Sequence, residues 1–173
     1  MMTRDGMYVD GQWRRTAGAS RCTVVDPHTE EPWGEVSCAE AAEVDVAVSA
    51  AERALRGPWA RMSLDERIAI VLRIRDLLEA RKAEFALLHT RSMGALHKTG
   101  HFLGGVPELI TMSVAAARSI AFEYLRRDAS GNTLITRQPV GVVAAIVPWN
   151  APLRSEIKKV IPALLCGCTV VVK

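Results

Sequence analysis

A chain of 173 residues suits one domain of ordinary size, and a composition of 49% hydrophobic and 24% charged residues supports a sizeable core rather than disorder. A formal net charge of +3 is too small to imply a nucleic-acid partner, and the densest basic spots, Arg126-Arg127 and Lys158-Lys159, are doublets of the kind that sit on solvated helix faces. The N-terminus has no apolar signal region, the longest apolar run is about half a membrane span, and Cys22, Cys38, Cys166 and Cys168 have no disulfide-framework spacing, so a cytoplasmic protein without membrane attachment is expected.

Residues 7–37 read as β structure. MYVDGQWRR centres on Asp10-Gly11, a hairpin signal because both turn positions need positive φ. CTVVDPHTEEPWGEV repeats the pattern with a longer turn around Asp26-Pro27. Such short pieces form ribbons against something larger.

Helices follow. Ser37 and Glu40 have capping-box spacing, and Val44, Ala47, Val48, Ala51 and Leu55 recur at helical spacing. Gly57-Pro58 ends that helix, with Gly57 expected in the left-handed cap conformation. A second capping box, Ser63 with Glu66, opens a longer helix that buries Ile68, Val71, Leu72, Leu78 and Phe85. GALHKTGHFLGG interrupts it, and a third helix is expected from about Pro107 to Tyr124 with Ile110, Val114, Ala117 and Ala121 on one face.

RRDASGN reads as a polar turn and TLITRQ as a strand whose end Pro139 makes an edge. VGVVAAIVPW is a continuous apolar run, the pattern of a strand buried on both faces of a parallel sheet. SEIKKVIPALLCG is helical, with Pro162 a kink position and Gly167 a cap, and CTVVVK is a second buried-type strand. Residues 140–173 are therefore strand, helix, strand, a right-handed crossover joining parallel strands. The fold class is α/β. Residues 1–125 form hairpins and helices, 126–139 a bridging strand segment, and 140–173 the first βαβ unit of a parallel sheet.

Ligands of open parallel sheets bind beyond the carboxyl ends of the strands. Here those ends are Pro148-Trp149-Asn150 and Lys173, on one edge of the sheet. Pro148 and Pro152 restrict the turn that carries Asn150, and a rigidly held amide is what an oxyanion hole needs. Spacing alone favours the other reading, in which Asn150 caps the following helix. Lys173 either hydrogen-bonds a sugar or phosphate or is a solvated strand end.

The remaining chemistry is thin. Cys166-Gly167-Cys168 lacks partner ligands at zinc spacing and reads as small packing residues around a capping glycine. His89, His97 and His101 form no H-E-x-x-H motif, and no G-x-G-x-x-G loop occurs. No metal site is expected.

TRQPVGVVAAIVPWNAPL followed by IPALLCGCTVVVK resembles the aldehyde dehydrogenase superfamily: it looks like that family's arginine-proline-valine-glycine lead-in, PWN loop, P-A-L helix and T-V-V-x-K strand, in order and at the right spacing. YVDGQWR, VVDPHTEEPWGEV, EVDVAV and PWARMSLDERIAIV agree, so the likeness covers essentially the whole chain. It implies a Rossmann-type cofactor domain and oxidation of an aldehyde to a carboxylic acid with NAD or NADP. A cysteine thiolate attacks the aldehyde in such enzymes. By resemblance Asn150 stabilises the oxyanion, Ile146, Val147 and Trp149 contact the cofactor, Lys173 bonds the adenosine ribose, and Lys159 lies near the active site.

Two positions depart from the family pattern. Ala151 stands where Phe or Tyr is common beside the substrate entrance, which implies a wider mouth, and Lys158 occupies a place that is often aromatic. None of the four cysteines matches the nucleophile, and the general-base glutamate with its E-L-G-G-K motif is absent. The expectation is the N-terminal portion of such an enzyme, truncated within the cofactor domain and inactive alone. The alternatives are a non-catalytic module that docks on a full-length relative or a separate C-terminal half, or a gene remnant. Family likeness also implies oligomerisation through strands.

Overall fold

The computed structural model describes residues 2–4, 6–16, 20–96 and 105–173. Strand β1 (Met2–Arg4) runs parallel to β5 (Pro32–Ser37), which also pairs antiparallel with β4 (Arg21–Val25). β2 (Gly6–Val9) and β3 (Gln12–Arg15) form the expected hairpin, with Asp10 and Gly11 at φ 56° and 75° in its turn. Tyr8 faces Trp13 across it, their rings edge-on at 5.5 Å.

Helix α1 (Ala41–Arg56) starts one box later than its spacing implies. Glu40 is the cap and reciprocates with Glu43, because Ser37 is still paired with Arg21 in the sheet. Gly57 ends α1 in an extended conformation, φ −92°, not a left-handed one, and Pro58–Arg61 turns as a short 3-10 helix. The second helix is two: α2 (Leu64–Ala80), opened by the Ser63/Glu66 capping box, and α3 (Lys82–Met93), separated where Arg81 leaves helical dihedrals. His97 and His101 lie outside the described residues.

α4 (Val106–Ser119) stops five residues before Tyr124. Tyr124 belongs instead to β6 (Glu123–Asp128), which pairs antiparallel with β7 (Gly131–Thr136). The polar turn is thus shorter than expected: Arg126, Arg127 and Asp128 are strand residues. Ser130 closes the turn by donating its main-chain N–H to Asp128 Oδ1 at 2.9 Å.

The βαβ unit is as read. β8 (Val142–Ala145) and β9 (Thr169–Val172) are parallel, joined by α5 (Pro152–Leu165), and Gly167 turns the chain into β9 at φ 84°. Burial on both faces is not realised among the described residues, since Ala145 is buried while Ala144 and Val172 are exposed.

The main core joins α2, α4 and α5 through Ile68, Val71, Val106, Ile110, Val114, Ala117, Ile157, Ile161 and Leu165. Each large aliphatic side chain buried there contributes about 1.5–3 kcal/mol. α1 packs on β8 and β9, where the Thr169 hydroxyl donates to the Ala51 carbonyl at 3.0 Å. The end of α5 is held from a distance. Trp59 Nε1–H is shared between the carbonyls of Gly167 (3.1 Å) and Cys168 (3.0 Å), and Arg67 Nε donates to Leu165 at 3.2 Å. No helix among the described residues is long and apolar enough to cross a membrane.

Candidate functional site

The parallel ladder runs one residue past the formal end of β8. Lys173 donates its main-chain N–H to Ala145 at 2.9 Å and accepts from the N–H of Val147 at 2.8 Å. Lys173 therefore lies beside Ile146, and the two strand ends form one edge. Pro148 follows at once, Trp149 and Asn150 make the turn, and Ala151 caps α5 with Pro152 in its first position. Proline suits that position because the first helical N–H has no partner within the helix.

This edge is open. Ile146 is 65% exposed and Trp149 79%, whereas the neighbouring Ala145 is fully buried. Two large apolar side chains held outward by a rigid strand end are surface available to a ligand. Asn150 is exposed, and its side chain makes no hydrogen bond among the described residues. The capping alternative is not realised, since Ala151 is the cap and no side chain bonds the helix start. Lys173 is exposed at the same edge without an ion pair among the described residues.

Five of the six candidate residues, Ile146, Val147, Trp149, Asn150 and Lys173, are thus gathered by the crossover. Lys159 is not brought into contact with them. It is exposed on α5, roughly 13 Å along the helix from Asn150 at 1.5 Å per residue. Glu156, which lies between them and has no motif to reveal it, is half-buried, and burial pushes its carboxyl above the ordinary glutamate range.

The cysteines lie elsewhere. Cys168 precedes β9, five residues before Lys173 and therefore roughly 16 Å away along an extended strand. Cys166 and Cys168 line a groove of about 1090 Å³ at the opposite edge, together with Ile120, Phe122, Pro139 and Pro162. Burial raises the Cys166 thiol, with Cys168 beside it adding to the effect, so Cys166 is a poor thiolate. Among the described residues no group of three or more His, Cys, Asp or Glu could hold a metal ion.

Trp59 and Arg67, which hold the chain between α5 and β9, carry no sequence signal for that role. Their partners lie about a hundred residues away and are bare carbonyls.

Residues 13–173 match the family model described as "Aldehyde dehydrogenase family". A 3-succinoylsemialdehyde-pyridine dehydrogenase from Pseudomonas sp. is 38% identical over 170 residues, covering 96% of this chain and 34% of that relative. An N-succinylglutamate 5-semialdehyde dehydrogenase from Caulobacter sp. is 38% identical over 169 residues, with 97% and 34% covered. The crystal structure of a Mycobacterium tuberculosis aldehyde dehydrogenase complexed with NAD+ superposes with a TM-score of 0.91 at 33% identity, covering 99% of this chain and 36% of that one. The chain spans about a third of the length of the relatives it matches.

Proposed function

Since the chain belongs to the aldehyde dehydrogenase family, we propose that the polypeptide carrying it oxidises an aldehyde to a carboxylic acid with NAD or NADP, and that residues 146–173 supply the oxyanion donor and part of the cofactor site. The observation that carries this reading is the unpartnered Asn150 amide, held between Pro148 and Pro152 on the sheet edge where Lys173 ends β9.

The residues present fit a dinucleotide. Ile146 and Trp149 offer open apolar surface, and Lys173 offers a free ammonium group suited to ribose hydroxyls. Ile146, Val147 and Trp149 would flank the cofactor and Lys173 would bond its ribose. When bound, the dinucleotide accepts the hydride released from the aldehyde carbon. Asn150 acts on the other partner. When a thiolate adds to the carbonyl carbon, negative charge moves onto the carbonyl oxygen. A preset amide N–H stabilises that oxygen without having to reorient.

The thiolate comes from outside these residues, since Cys168 sits roughly 16 Å along the strand from Lys173 and Cys166 faces the other edge. Among the described residues no cysteine lies on β8, the Asn150 turn or β9, and residues 1–173 alone are proposed to be inactive. Lys159 is assigned a supporting role near the site, and the protein a cytoplasmic location.

The β6–β7 ribbon is the surface we assign to pairing with another copy or a family member. It exposes Leu125 and Leu134 opposite each other, and two-stranded ribbons are marginal alone.

The test is NAD(P)H formation from a panel of aldehydes. The complete polypeptide is expected to turn over and residues 1–173 are not. Absence of turnover by the complete polypeptide would overturn the assignment, and robust turnover by residues 1–173 would overturn the inactivity.

A further inference from the structure

We propose that Cys166 and Cys168 are a modification site: a small-molecule disulfide closes them into an intramolecular disulfide, and the closure loosens the turn that starts β9. The inference does not depend on the reading of the Asn150 edge.

The end of α5 brings the two cysteines onto one residue. Gly167 donates its main-chain N–H to Leu164 at 2.9 Å and Cys168 donates to Ala163 at 2.9 Å, with Gly167 at φ 84°. This crossed pair is a Schellman ending, in which the chain after the glycine folds back over the last turn of the helix. Cys166 is three residues after Ala163 and so shares its helix face. Cys168 folds back to the same place, and Ala163, Cys166 and Cys168 all line the one groove. Residues two apart across a left-handed glycine have Cα atoms inside the span of about 4.4–6.8 Å that a disulfide bridges.

Unequal exposure divides the roles. Cys166 is exposed, and Cys168 is only 3% exposed. The Cys166 thiolate attacks one sulfur of the incoming disulfide. That S–S bond breaks, and one small thiolate leaves and takes up the proton that Cys166 released. The Cys168 sulfur, its own proton lost to solvent, then attacks the Cys166 sulfur of the mixed disulfide. The second small thiolate leaves and takes up a proton. Two cysteine thiols are oxidised to one disulfide, and one small disulfide is reduced to two thiols. The buried thiol never has to meet the reagent. Burial first and Cys168 second push the Cys166 thiol up, which slows the opening step, while the Arg67 guanidinium works the other way.

Closure disturbs native contacts. The Cys168 side chain must turn out of its buried position toward Cys166. The carbonyls of Gly167 and Cys168 are the pair that shares Trp59 Nε1–H, at 3.1 and 3.0 Å. Thr169, the next residue, donates to Ala51 on α1. A ring closed over a single residue restricts the unfolded chain far less than a long loop does. Little entropic gain therefore offsets the lost packing, and a short strained ring is readily reduced. The pair fits a reversible site rather than a structural bridge.

The experiment treats the complete polypeptide with oxidised glutathione, alkylates the remaining thiols and maps them by mass spectrometry. Cys166 and Cys168 are expected to escape alkylation together, in a peptide lighter by two hydrogens, and reduced glutathione is expected to restore both. In Cys168→Ser the reaction should stop at a glutathione adduct on Cys166. The thermal midpoint of the treated wild type should fall by about 2–8 °C, the scale of one lost contact, and that of treated Cys166→Ser should not move. Thiols that both stay alkylatable overturn the pairing. So does a wild-type adduct that stops at Cys166 with Cys168 still reduced, or a bridge from Cys166 to Cys22 or Cys38. A midpoint that does not fall, or that falls equally in Cys166→Ser, overturns the loosening. The wild-type mapping requires no variant to fold.

Discussion

Val147 and Lys173 are tied main chain to main chain: the N–H of Val147 donates to the Lys173 carbonyl at 2.8 Å. The N–H of Lys173 in turn reaches Ala145 at 2.9 Å, so both main-chain groups of Lys173 are paired with the end of β8. Asn150 stands three residues beyond Val147. Asn150 and Lys173, the residues proposed as oxyanion donor and ribose contact, therefore share one rigid frame.

Asn150→Ala in the complete polypeptide should lower kcat by about 10²–10³, the cost of removing one oxyanion-hole donor. The side chain is exposed and has no hydrogen-bond partner among the described residues. Stability should therefore change by no more than about 0.5 kcal/mol, as at other surface positions. Steady-state kinetics paired with a denaturant titration separates the two effects, and a large loss of stability would move Asn150 to a structural role.

Trp59→Phe keeps the aromatic packing and removes the N–H shared by Gly167 and Cys168. It should cost about 1–3 kcal/mol, because part-buried carbonyls lose their donor. Those carbonyls lead into β9, so the KM for the dinucleotide should rise as well. An unchanged urea midpoint would show that water replaces the indole at no cost.

Gly167→Ala meets two obstacles. The position is at φ 84°, and a Cβ would stand 3.0 Å from Pro139 Cγ and 3.4 Å from Arg67 Nη1. A loss of more than about 1 kcal/mol is expected from the backbone conformation alone. Thermal unfolding of the variant measures it, and a neutral result would mean that the turn before β9 can be rebuilt.

Glu66 gives a pH signature. The main-chain N–H and hydroxyl of Ser63, in that order, hold its carboxyl below the ordinary glutamate range, with Arg67 a lesser contributor. The main-chain bond is 2.7 Å. A group whose folded pKa is lowered adds stability above its unfolded pKa and loses it as pH falls through the folded one. The stability difference between wild type and Glu66→Gln should thus be full at neutral pH and vanish on acidification through the carboxylate range. A difference independent of pH would assign the box to hydrogen bonding without charge.

Much of the chain is legible locally. Asp10-Gly11 makes its hairpin turn and Ser63-x-x-Glu66 opens α2, because each depends on dihedrals and hydrogen bonds within four residues. The apolar run after Val140 and the T-V-V-V segment pair as parallel strands, since one helix of this length joins them in only one sensible way. That is enough to bring Asn150 and Lys173 to one edge.

Competing partners decided the rest. Ser37 has the spacing of a helix cap, but Arg21 holds it in a sheet, so Glu40 takes the role. Tyr124 continues the apolar period of α4 and is nevertheless drawn into β6 by Ile135 across the ribbon. Trp59 and Arg67 find their acceptors about a hundred residues away. Asn150 could cap a helix by spacing, and only the folded turn, with Ala151 in the cap, leaves its amide open. Chain-local chemistry is written in neighbouring residues; the choice among several satisfying partners depends on which long-range pairings the folded chain can close together.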